Sequence, residues 1–353
     1  LGGHNVPAYR PANLGRIVVS IDGRQTTEFW PRATPCEIVL ADGEIVRLGG
    51  KGMDREGYDL LGLLTGSEGL LGITTEATLR ILPRPELARA MMAVYDSIER
   101  AGQAVAHIIG AGMIPAGMEI MDRLSIEATE DFVGAGYPRG VEALLLVELD
   151  GAASEVEYLL GTLEDLLRAS GATQIRKAKN EEERLKLWAG RKAAFPAMGR
   201  ISPDYYCMDG TIPRSKLPFV LQRIQELGER FGLPVANVFH AGDGNLHPLV
   251  LYDSNRSGDL EKAEELGAEI LRLCVEVGGV LSGEHGIGVE KRDLMPCMFN
   301  AADLEAQERI KAGFDPAHLL NPGKVYPTLH RCSELGRMFV HKGKLPFPDI
   351  PRF

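Results

Sequence analysis

Ala88–Tyr95 reads ARAMMAVY, Asp96–Gly112 reads DSIERAGQAVAHIIGAG, Ala116–Asp122 reads AGMEIMD, Glu142–Gly151 reads EALLLVELDG and Ser154–Ser170 reads SEVEYLLGTLEDLLRAS. The shorter runs are apolar and bounded by charges or turn formers, as strands are. The two longer ones place apolar residues at three- and four-residue intervals, as amphipathic helices do. Strands alternating with such helices predict an α+β domain with helices on one side of an antiparallel sheet. Further helices are expected near 181–194, 214–231, 258–277 and 302–313, and two β-like runs, PVANVF and PLVLY, enclose residues 240–247.

Upstream, Glu37–Leu40 and Glu44–Leu48 are short β-rich runs around Asp42-Gly43, a hairpin signal. Residues 70–82, LLGITTEATLRIL, read as another strand, closed by Pro83 and Pro85. This predicts that 37–86 ends one antiparallel α+β domain and that 87–326 forms a second. Residues 1–36 begin at Leu1, hold many turn formers and stay unassigned. Residues 327–353, with Pro327, Pro346, Pro348 and Pro351, read as an irregular tail.

A chain of 353 residues, 44% of them hydrophobic, is large enough for two ordinary cores. The formal net charge is -10 and no Lys/Arg stripe stands out, which argues against a nucleic-acid partner. A small anionic substrate would need its own local positive group. The five cysteines are scattered without a C-x-x-C pair or iron-sulfur spacing, which fits a reducing compartment, and a cytoplasmic location is expected. No apolar stretch approaches the ~20 residues that span a bilayer, so membrane contact is expected only through a partner.

Chemistry concentrates in two glycine-rich runs. In His240-Ala-Gly-Asp-Gly-Asn-Leu-His247 the glycines permit a tight reversal that sets two imidazoles side by side, good ligands for a divalent metal. Ser282-Gly-Glu-His-Gly-Ile-Gly288 offers Glu284 to complete a His-His-Glu set with coordination positions left for substrate. Singly, each histidine reads equally well as a cap or surface residue. Three of eight histidines and an acid in two such loops favour the shared site. His285, beside the proposed ligand, suits a general base, since imidazole titrates near neutrality; mere loop support is the other reading.

Leu64–Thr74, LTGSEGLLGIT, is a third glycine-rich run, whose backbone N–H groups can approach a phosphate or flavin ring. On spacing alone a plain turn is the better reading. No G-x-x-x-x-G-K-[ST] occurs, and Gly134–Gly140 has the wrong spacing for a dinucleotide fingerprint. Arg191 or Arg200 can hold a carboxylate bidentately, although a solvated helix-face arginine is the default.

Taken together, LTGSEGLLGIT, FHAGDGNLHPLVLYD, LSGEHGIGVEK and FDPAHLLNPGKVYP resemble the FAD-linked oxidases of the vanillyl-alcohol oxidase superfamily. GRKAAFPAMGRISPDYYCMDGTIP and TLHRCSELGRMFVHKGKLPFPD are similar to the glycolate oxidase flavin subunits within it, and the resemblance runs from Glu37 to Phe353. It implies the remnant of a two-subdomain, PCMH-type FAD-binding domain, followed by a ferredoxin-like antiparallel-sheet substrate domain with C-terminal helices. It also implies FAD-dependent oxidation of glycolate or D-lactate to the 2-oxo acid. By position, His240, His247 and Glu284 match the family's ligands for a divalent metal of Zn, Mn or Fe type. His285 matches the catalytic histidine and Arg191 the arginine that clamps the carboxylate. Gly66, Ser67, Gly69, Gly72 and Ile73 match the stretch lying along FAD, and Asn321 a C-terminal return to the flavin. Leu249 and Cys207 replace an asparagine and a lysine of 2-hydroxyglutarate-specific relatives, favouring a small monocarboxylate.

The family's upstream subdomain, with its pyrophosphate loop, has no counterpart in this sequence, and residues 1–36 do not resemble its Asn-Ala-Gly-Gly region. A truncated or frame-shifted start is therefore expected. The implied partners are an iron-sulfur electron-transfer subunit, feeding membrane quinone, and a second FAD-domain subunit. Two other classes stay open: a flavin-free metallohydrolase using the same His-His-Glu set, and a catalytically impaired chain serving as an interaction module.

Overall fold

The computed structural model describes residues 16–21, 24–29, 36–49, 57–78 and 85–327. Within the segment left unassigned from sequence, β1 (Arg16–Ile21) and β2 (Arg24–Phe29) pair antiparallel. The Asp42-Gly43 signal is borne out: β3 (Cys36–Val39) and β4 (Ile45–Leu48) form the hairpin, with Gly43 at φ +87 in its turn. A short helix, α1 (Leu60–Leu64), is capped by Asp59. The run expected as a strand over 70–82 is a strand only at β5 (Ile73–Ala77), which completes a three-stranded sheet in the order β4-β3-β5. Leu70 and Leu71 instead lie buried in the preceding turn, and residues 79–82 lie outside the described residues.

The main sheet follows. Its elements in chain order are β6 (Leu87–Tyr95), α2 (Ile98–Gly110), β7 (Gly117–Asp122), α3 (Arg123–Val133), β8 (Ala143–Gly151) and α4 (Ala153–Ala169). Then come β9 (Gln174–Lys177), α5 (Glu181–Ala197), β10 (Asp204–Cys207) and α6 (Leu217–Phe231). Last are β11 (Val235–His240), β12 (Pro248–Tyr252), α7 (Asp259–Glu276) and α8 (Ala301–Phe314). Seven strands pair in the order β10-β12-β11-β7-β8-β6-β9, every neighbour antiparallel.

Helices cover both faces of this sheet, not one as expected from the alternation. Met91, Ala93, Tyr95, Leu145 and Val147 face a core shared with α2, α4, α6 and α7. Met92, Val94, Leu144 and Leu146 face a second core with α3 and α5. Successive strand residues point to opposite faces, so ALLLV and AMMAV, apolar at every position, must be covered on both sides. Each such fully buried side chain stabilises the fold by ~1.5–3 kcal/mol. Helix α3 was not among the helices expected from the sequence. It is started by Asp122, whose Oδ1 accepts from Ser125 N at 2.9 Å, and it is stopped by Gly134 in the left-handed region.

A third cluster sets the site. Leu70 and Leu71, from the turn before β5, pack with Met208, Leu281, Met295 and Val325. The glycine-rich run at 64–74 is thereby held against the chain after β10 and against the loop that carries Glu284. No helix among the described residues is long and apolar enough to cross a membrane.

Candidate active site

β11 ends at His240 and β12 begins directly after His247, so the reversal between two adjacent strands brings the imidazoles together, with ring centroids 5.1 Å apart. Gly244 makes that reversal possible: its φ is +73, and a Cβ there would run into the Ile212 carbonyl. Glu284 arrives from the other glycine-rich loop. Its Oε1 lies 2.9 Å from His247 Nε2 and 3.8 Å from His240 Nε2, and ligand atoms of the three residues all lie within 4.8 Å of one another. His285 stacks on His247 with centroids 5.3 Å apart, its own side chain about half exposed.

The histidines are aimed by what holds their other nitrogens. His240 Nδ1 stands 2.7 Å from Glu119 Oε1, and His247 Nδ1 stands 3.3 Å from the Met208 carbonyl. A proton on each Nδ1 leaves each Nε2 lone pair turned toward Glu284, the arrangement in which metal-binding histidines are held. Burial pushes the His247 imidazole below its ordinary pKa, which keeps it neutral. His240 moves the other way, raised chiefly by the Glu119 charge. Glu119 is itself 7% exposed, and its burial alone would raise it; Arg191 and His240 outweigh that and hold it below the usual carboxylate range.

Arg191, on α5, is buried, with Nε 2.9 Å and Nη2 2.8 Å from Glu119 Oε2 and its guanidinium 5.9 Å from the Phe195 ring centre. It thus reaches the histidines through Glu119. Arg200, the other candidate, is exposed and packs over Phe132. Leu249 is fully buried and faces Cys207 across the β10–β12 ladder; the Cys207 thiol, 4.0 Å from His247 Nδ1, is pushed up to about 12 by burial.

Two acids that sequence reasoning passed over shape the loops. Asp209, completely buried, accepts at Oδ2 from Ser282 Oγ (2.9 Å) and from the backbone N–H groups of Gly283 (3.1 Å), Glu284 (2.8 Å) and His285 (2.6 Å). Lys291 pairs with its Oδ1. Glu68 accepts from the N–H groups of Ile287 (2.6 Å) and Gly288 (2.8 Å). Glu119 was the more legible omission, being an acid flanked by Met118 and Ile120 in the strand GMEIMD.

The residues expected along a flavin fall in one turn and its clasp. Gly66 has φ +79 with open space where a Cβ would stand, and Ser67 O accepts from Leu70 N at 2.9 Å. Gly69 has φ +73, and a Cβ there would lie 2.8 Å from Asn321 Nδ2, which donates to the Glu68 carbonyl. Gly72 packs close to the Val39 carbonyl, and Ile73 opens β5 more than half exposed.

Residues 84–325 match the family described as FAD linked oxidases, C-terminal domain, and the chain belongs to that family. More particularly, it is 57% identical over 317 residues to the glycolate oxidase subunit GlcD of Escherichia coli K12, covering 90% of this chain and 64% of that one. It is 37% identical to GlcD of Bacillus subtilis, covering 82% and 62%, and 33% identical to the probable mitochondrial D-lactate dehydrogenase of Danio rerio, covering 82% and 59%. The chain therefore spans less than two thirds of these relatives' length. In fold it is similar to a 4-ethylphenol oxidase from Gulosibacter chungangensis (TM-score 0.66, 17% identity, 85% of this chain and 67% of that one). It is likewise similar to p-cresol methylhydroxylase (TM-score 0.66, 15% identity, 82% and 64%).

Proposed function

We propose that this chain carries the substrate-oxidising site of an FAD-dependent dehydrogenase acting on glycolate or D-lactate, with a divalent metal held by His240, His247 and Glu284. The observation that carries the reading is the convergence of those three residues, with His285 stacked beside them. The donor set fits a first-row divalent ion: two imidazoles steered through Nδ1 and one carboxylate. His247 Nε2 is buried and 2.9 Å from Glu284 Oε1, which sets an imidazole nitrogen and a carboxylate oxygen where one cation could be shared between them. FAD fits the other side: Gly66 leaves backbone open to close approach, and Gly66, Ser67, Gly69, Gly72, Ile73 and Asn321 would lie along it.

When bound, FAD supplies the acceptor for the C2 hydride and the cation supplies Lewis acidity toward the C2 hydroxyl. The chain's own residues do the rest. His285 takes the hydroxyl proton. Arg191, steadied by Glu119, supplies positive charge for the carboxylate. Leu249 and the high-pKa thiol of Cys207 offer no charge to a second carboxylate, which supports a small monocarboxylate substrate. Similarity to a named subunit supports onward transfer of electrons to a partner, by our reading an iron-sulfur subunit acting with a second FAD-domain subunit, and contact with the membrane through that complex.

The test is anaerobic addition of glycolate, D-lactate, L-lactate and D-2-hydroxyglutarate to the full-length flavin-loaded protein. Bleaching of the flavin by the first two, and not by the others, is expected. A flavin untouched by every 2-hydroxy acid, with metal-dependent hydrolysis in its place, would overturn the reading.

A further inference from the structure

Glu68 lies in the flavin-side turn yet spends its carboxylate on the loop that follows His285. Both oxygens are engaged, Oε1 by Ile287 N and Oε2 by Gly288 N, across 219 and 220 positions of sequence. The approach depends on Gly286, at φ +87, where a Cβ would lie 2.7 Å from the Glu68 Cδ. Glu68 itself has φ +53, a left-handed conformation that is strained for a non-glycine residue and persists only where surroundings enforce it. Its carbonyl accepts from Asn321, 253 positions away, and the Gly288 carbonyl accepts from Val325 N at 2.7 Å. Three distant segments are thus clasped at one strained residue.

The loop carrying Glu284 and His285 is held at two ends. Asp209 grips the N–H groups of residues 283–285 from within the sheet domain, while Glu68 grips those of 287 and 288 from the flavin-side turn. We propose that Glu68 is a positioning residue: Asp209 fixes residues 283–285 to the sheet domain, and Glu68 fixes the other end of the loop, and with it the distance between His285 and the flavin-side turn. The role rests on the function proposed above: loss of Glu68 leaves residues 283–285, and so the metal ligands, held by Asp209, but unfastens the loop from the flavin-side turn and lets the distance between His285 and the flavin drift. A misplacement of about 1 Å costs on the order of 100-fold in rate.

The experiment uses the full-length flavin-loaded protein as wild type, Glu68→Gln and Glu68→Ala. It measures the rate of flavin reduction by D-lactate, metal bound per chain, affinity for oxalate as a substrate-shaped anion, and amide exchange over 286–288 with and without FAD. Glu68→Ala is expected to slow reduction about 100-fold with metal content and oxalate affinity within threefold of wild type. Glu68→Gln, which keeps one acceptor, falls between. In wild type FAD slows exchange at Ile287 and Gly288; in Glu68→Ala it no longer does. Reduction within threefold of wild type, unchanged FAD-dependence of exchange, or loss of metal in step with rate would each overturn the assignment. If Glu68→Ala does not fold, Glu68→Gln decides by the same criteria. Wild type that no 2-hydroxy acid reduces, alongside FAD-dependent exchange that Glu68→Ala abolishes, would retire the substrate reading and leave the clasp standing.

Discussion

His240 Nδ1 and Glu119 Oε1 stand 2.7 Å apart although 121 positions separate them, and the same carboxylate holds Arg191 through its other oxygen. One buried acid therefore aims a metal-type ligand and anchors the cation nearest to it. Glu119→Gln should weaken divalent-metal affinity by ~10–100-fold, as loss of a partner behind a ligating histidine does. Glu119→Ala should also destabilise the fold by ~3–5 kcal/mol, because it leaves Arg191 buried without its partner. Metal titration and chemical denaturation read the two effects separately.

The pH dependence of that pair has a definite sign. Glu119 is held below its ordinary pKa, so its contribution is present above about pH 4.3 and is lost as pH falls through its folded value. His240 is raised, so its contribution is complete below about pH 6.5 and is lost as pH rises through its folded value. In metal-free protein, the stability difference between wild type and Glu119→Gln should peak between those two limits and shrink on either side. A difference that is flat with pH would show the pair to be uncharged or unlinked.

Purified full-length protein should carry about one divalent ion per chain, removable by chelators, as a single three-ligand site requires. Glu284→Gln and His247→Ala should each abolish stoichiometric retention, measured by elemental analysis. Retention in both variants would place the metal elsewhere.

His285→Gln should reduce the rate of flavin reduction by ~10²–10⁴-fold, the usual worth of a positioned general base. Because His285 is outside the three-residue ligand set, metal content should not change. A parallel loss of metal would make it a ligand instead of a base.

Arg191→Ala should lower kcat/KM by ~1.5–3 kcal/mol if the guanidinium meets the carboxylate. Arg191→Lys should recover charge but not the fork, and so only part of the loss. Kinetics unchanged in Arg191→Ala would show that another group holds the carboxylate and that Arg191 serves only Glu119.

Far from the histidines, Asp315 accepts from the N–H groups of Leu319 and Leu320 and pairs with Lys311. Burial would raise its pKa, but Lys311 and the two N–H groups outweigh it and hold it at about 2. Its contribution is present above the ordinary carboxylate pKa and lost as pH falls toward 2. Asp315→Asn should therefore melt lower at neutral pH and lose less between about pH 4 and pH 2 than wild type does. Equal acid sensitivity in the two proteins would count against this assignment.

Periodicity and turn chemistry, both short-range, determined from the sequence the helices at 181–194 and 258–277, the hairpin at Asp42-Gly43 and the two strands that enclose His240 and His247. The same local logic placed the two histidines side by side, because a glycine-rich reversal between adjacent strands leaves them little else to do. The short strands β9 and β10 and the covering of both sheet faces were decided by tertiary packing, of which the evenly apolar ALLLV was a local trace; helix α3 carried local signals in its Asp122 cap and Gly134 stop. The roles of Glu119, Asp209 and Glu68 were not legible for a deeper reason. Each is an acid whose own segment does not show its partners, and it acquires them only when strand order and the packing of Leu70 and Leu71 bring together residues 72 to 220 positions away. Arg191 shows the same limit: its residue type and helix were legible, but the carboxylate that occupies it lies on another strand and is set by the fold alone.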